Sequence, residues 1–159
     1  MAQPVTITLT IEDAAGLYAT EETSNPDPQY YSLDDTSDIL HEGSGTEFLT
    51  NVYFGQNVTW DSFVKVPPAT TPYQAGIDKI VFEPGKENDK DYFLGRANDI
   101  SGTVNSANPG RKGTVTAQVN DKNAIGTAID VYRIYFTIYP PFKGNPLQFY
   151  IDPKLQGHL

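Results

Sequence analysis

The sequence contains no cysteine, which removes disulfides, thiolate nucleophiles and thiolate metal ligands together. Histidine is nearly as scarce. His41 and His158 are the only two, too few for a multi-histidine metal centre within one chain and a thin supply for general acid–base catalysis. Positive charge is also short: 11 Lys and Arg stand against 20 Asp and Glu, a net charge of −9. Such a field repels phosphate backbones and anionic headgroups, so nucleic acid is not an expected partner. No stretch is apolar for long enough to span a bilayer, and MAQPVTITLT lacks the basic start and continuous apolar run of a signal peptide. The expectation is a cytoplasmic chain without membrane insertion, although a secreted mature form with an added Met would read the same.

What the sequence does have is punctuation. With 13 Gly and 12 Pro in 159 residues and 38% hydrophobic residues, it reads as many short apolar segments separated by turns, in one domain spanning 1–159. In VTITLTI the apolar Val5, Ile7, Leu9 and Ile11 alternate with Thr6, Thr8 and Thr10, the period of a strand with one buried face. The polar, acidic stretch 20–46, with NPDP at 25–28 and GSG at 43–45, reads as a long connection. EFLTNVYF, NVTWDSFVKV, GIDKIVFE, GTVTAQV, VYRIYFTIY and LQFYI follow as strand candidates, with VYRIYFTIY central. About seven strands and no long-period repeat predict an all-β fold, a two-sheet antiparallel Greek-key sandwich of immunoglobulin or cupredoxin type.

Chemistry is harder to find. The Gly55–Trp60 segment has the form of a turn entering a cupredoxin strand, but a blue-copper site needs a thiolate and histidines; its plain role is to deliver Val58 and Trp60 into the core. Carboxylate pairs that could hydrolyse a glycosidic bond can be nominated anywhere among 20 acids, so an acid-pair hydrolase ranks last. Glu87, Asp89 and Asp91 in ENDKD offer oxygen ligands suited to Ca²⁺, without the spacing of an EF-hand; a solvated turn is the simpler reading, and no other cofactor is implied. Tyr30, Tyr31 and Tyr73 lie in expected loops and, with Trp60, could stack on a sugar ring. Val5, Thr6, Ile7, Thr8, Leu9, Thr10 and Ile11, an uncharged strand with a threonine face, would template assembly if it lay at a sheet edge.

An N-terminal hydrophobic strand, NPDP, FLTNVYFGQNVTW, YRIYFTIY and the ending FYIDPKL follow one another in an order that resembles the PixA/AidA family of bacterial inclusion-body and quorum-regulated proteins. The resemblance covers most of the chain and implies a β-sandwich without catalysis that accumulates in ordered inclusions, with no functional residues to transfer. The ENDKD loop and the stretch 20–46 depart from the family pattern. The resulting expectation is a non-enzymatic structural protein whose partner is itself, as a homo-oligomer assembled through the strand at Val5–Ile11. The alternative is a lectin-like, carbohydrate-binding module, with glycans as partners and Ca²⁺ as an optional ligand.

Overall fold

The computed structural model describes residues 2–37, 43–66, 72–83, 91–93, 100–104, 112–126 and 128–159. Alternation becomes strand wherever the sequence shows it: β1 (Val5–Ile11), β3 (Leu49–Tyr53), β4 (Asn57–Val64), β5 (Gln74–Phe82), β8 (Lys112–Gln118), β9 (Ile129–Tyr139) and β10 (Leu147–Ile151). Three more elements were not readable as such: β2 (Tyr31–Asp35), inside the expected acidic loop, β11 (Lys154–His158), and a short helix α1 (Ala14–Thr20). Two-residue strands β6 (Ile100–Ser101) and β7 (Thr103–Val104) complete the set. The helix is held at its start by Asp13, whose carboxylate accepts from the Gly16 amide at 2.9 Å, and stops where Glu21 turns left-handed at φ 55°.

Two sheets result, one ordered β2-β1-β4-β8-β7 and the other β3-β11-β9-β5-β6 with β10 also on β9. The all-β, two-sheet expectation holds, with two refinements. Both sheets are mixed, because β1 runs parallel to β4 and β3 parallel to β11, and among the described residues there are more than seven strands. The inward side chains form one continuous apolar cluster, to which β1 contributes Val5, Ile7, Leu9 and Ile11 and β9 contributes Ile134, Phe136 and Ile138. Trp60 of β4 joins the sheets by donating its indole N–H to the Tyr132 hydroxyl of β9 at 3.1 Å. Both side chains are fully buried, so the pair satisfies two groups that would otherwise be costly there.

β9 is the spine. On one side it pairs with β5 along most of its length. On the other it pairs first with β11, through Ile129–Val131, and then with β10, through Ile134–Ile138. Asp152 and Pro153 separate those two partners, and Pro153 has no N–H to continue the ladder.

Candidate functional site

The expected assembly strand is corrected by its pairing. β1 is bonded to β2 on one flank and β4 on the other, so residues Val5 to Ile11 offer no open ladder. The strand is shielded because part of the predicted loop folds back as β2. That strand forms the border instead, and its Asp34 and Asp35 are charges of the kind that discourage edge-to-edge pairing. Thr6, Thr8 and Thr10 do face outward, where Thr6 lies beside Thr59 and Thr59 beside Thr116; the last two hydroxyls are 3.1 Å apart.

The expected ligand-binding aromatics are dispersed. Tyr31 and Trp60 are buried and cannot stack on a sugar, a correction that follows from Tyr31 opening β2 and from Trp60 lying mid-strand. Burial also disfavours the Tyr31 phenolate, pushing its pKa up to about 12. Tyr30 and Tyr73 are half-buried. The Tyr30 ring leans on α1, where a Cβ added at Gly16 would come within 2.9 Å of it. Of the calcium candidates, Glu87 and Asp89 lie outside the described residues, as does His41; Asp91 accepts from the Phe93 amide at 2.9 Å in a local turn. Among the described residues no group of three or more His, Asp or Glu could hold a metal ion. His158 sits on β11, 2.7 Å from the Asn51 amide oxygen, and burial lowers its pKa.

Three features that the sequence did not announce come together instead. First, Tyr18 of α1, Tyr73 before β5 and Phe142 in the loop 140–146 form a mutual aromatic cluster, with centroids 5.9 to 6.2 Å apart. The Tyr18 hydroxyl donates to the Asn145 carbonyl at 2.7 Å, fixing the loop. Gly144 is required for this fit, since a Cβ there would meet the Phe142 ring at 2.9 Å. Phe142 remains 55% exposed. The one available sequence signal was a large apolar residue set among prolines beside Lys143.

Second, the NPDP and FYIDP segments are clasped together. Asn25, in a left-handed conformation at φ 44°, donates from its side chain to Asp152 at 3.1 Å and accepts from the Asp152 amide at 3.0 Å. Backbone bonds of 2.9 Å between Asn25 and Tyr150 and between Tyr150 and Thr23 cover the outer flank of β10. Arg133 completes the clasp: its Nε lies 3.0 Å from both Glu83 and Asp152, and its guanidinium stacks 4.0 Å over the Tyr150 ring.

Third, an open groove of about 490 Å³ lies on the outward face of β3, β11 and β9. Leu49, Ile129 and Val131 line it with apolar surface, while Glu47, Asp152 and Lys154 supply charge. The register explains the grouping, for Lys154 is paired with Leu49 on one side and Val131 on the other. Lys154 reaches Glu47 at 3.1 Å. No helix among the described residues is long and apolar enough to cross a membrane.

These features define an all-β, two-sheet sandwich whose exposed chemistry lies on its outer faces and loops. No protein-family model matches the sequence, and no curated protein matches it either. In fold, the chain is similar to the crystal structure of an inclusion body protein, PixA, from Burkholderia cenocepacia J2315. The TM-score is 0.63 at 10% identity, over 99% of this chain and 97% of that one. The likeness is one of fold, and it agrees with the architecture that the order of motifs implied.

Proposed function

We propose that this chain is a structural protein without catalytic activity that associates with copies of itself. The observation that supports the reading is the match in fold, over 99% of this chain and 97% of the other, to an inclusion body protein. The composition agrees: no thiol, two histidines and a net charge of −9 leave little for nucleophilic or metal chemistry. Association through β1 is not the route, because that strand is paired on both flanks; exposed loops and outer faces supply the contact. The test is sedimentation velocity over a wide concentration range, combined with electron microscopy of expressing cells. Concentration-dependent assemblies and ordered inclusions are the expected result, and a monomer at every concentration without inclusions overturns the reading.

A further inference from the structure

The loop 140–146 and the groove stand at opposite ends of one strand. Ile129 and Val131, at the start of β9, line the groove, whereas Phe142 and Lys143 follow the end of the same strand. Eleven residues of strand, at about 3.3 Å each, separate them by roughly 35 Å. The loop of one molecule therefore does not reach its own groove.

The two ends are complementary. Phe142 is a large apolar ring, 55% exposed, held outward by Tyr18, Tyr73 and the tight turn at Gly144. The groove supplies an apolar floor and a volume of about 490 Å³, which is room for an aromatic ring and part of a neighbouring residue. Charge matches as well. Lys143 is exposed, and its counterpart in the groove is Glu47, since Asp152, the other acid of the lining, is already engaged by Arg133. The Glu47 side chain is 73% exposed; one of its oxygens meets Lys154 at 3.1 Å, and the carboxylate retains acceptor capacity for a second cation. A face-to-face contact between identical acidic surfaces would lack this match.

We infer that Phe142 and Lys143 of one molecule seat in the groove between β3, β11 and β9 of a second copy, so that copies add head to tail. This rests on the self-association reading above and names its surfaces. A contact between two different patches does not close on itself by symmetry; it grows into a ring or an open fibre.

The experiment compares the full chain with Phe142→Ala, Lys143→Glu, Glu47→Lys and the double variant Lys143→Glu/Glu47→Lys by sedimentation velocity and negative-stain microscopy. Far-UV circular dichroism checks that each is folded, and all three positions are exposed enough to tolerate the change. The expected result is a rise of tenfold or more in the concentration needed for assembly with Phe142→Ala, a smaller rise with each charge reversal, and recovery in the double variant. At a concentration below the assembly threshold of either variant alone, mixing Phe142→Ala, which keeps its groove, with Glu47→Lys, which keeps its loop, gives mixed dimers that grow no further. Assembly of Phe142→Ala and Lys143→Glu at the concentration of the unaltered chain overturns the inference and leaves self-association standing. An unaltered chain that stays monomeric overturns both.

Discussion

Two groups of aromatic rings in this molecule have nearly the same internal geometry and opposite surroundings. Trp60 meets Phe93 and Tyr132 edge-on, each at 5.7 Å, and all three are buried. Tyr18, Tyr73 and Phe142 meet at 5.9 to 6.2 Å, yet Phe142 is mostly exposed. Ring contact alone therefore does not mark a core. The difference lies in what the polar tips do. In the interior the indole N–H is directed to the Tyr132 hydroxyl, closing a pair that water cannot reach. At the surface the Tyr18 hydroxyl is directed to the Asn145 carbonyl, and that bond fixes a loop in place instead of filling a cavity.

The sharpest way to break the comparison is Trp60→Ala, which should cost about 3–5 kcal/mol in chemical denaturation through lost burial and the cavity left behind. Tyr132→Phe keeps the ring and removes only the acceptor of the indole N–H; a loss of about 1–3 kcal/mol is expected for a buried donor left unpaired. A pH titration sharpens the interior side further. Tyr31 and Tyr92 keep their phenolic protons up to about 12 because burial disfavours the phenolate. As these folded values lie above the unfolded value of about 10, the associated stability is complete below about pH 10 and is lost as the pH climbs through about 12. Absorbance of the phenolate and circular dichroism should then change together. At the small end, Phe142→Ala should shift stability by no more than about 0.5 kcal/mol, even though it raises the concentration needed for assembly.

The strands were legible because each needs only local alternation. VTITLTI and VYRIYFTIY show it without interruption, and β9 is indeed the strand with most partners. Sheet membership was not legible. β3 and β4 are separated by a short turn at Phe54 to Gln56, yet they belong to different sheets, and nothing in their composition records that choice. β11 was hidden because its inward residues are Leu155 and Gly157, one of them without a side chain. The glycine is explained only by a distant residue: a Cβ at Gly157 would lie 2.5 Å from the Tyr92 ring, whose hydroxyl accepts from the Gly157 amide at 2.8 Å. The exposed aromatic cluster was missed for a similar reason. Its members, Tyr18, Tyr73 and Phe142, come from three distant segments, and the nominated Tyr31 and Trp60 satisfied a composition rule while lying in strands that face inward.

The position of β11 also bears on how the molecule comes into being. This strand, residues 154–158, lies between β3 and β9 in the middle of its sheet and pairs with residues about a hundred positions earlier. During synthesis β3 has no strand partner among the described residues until β11 has emerged about a hundred residues later, so this sheet stays unfinished while most of the chain between them is already outside the ribosome.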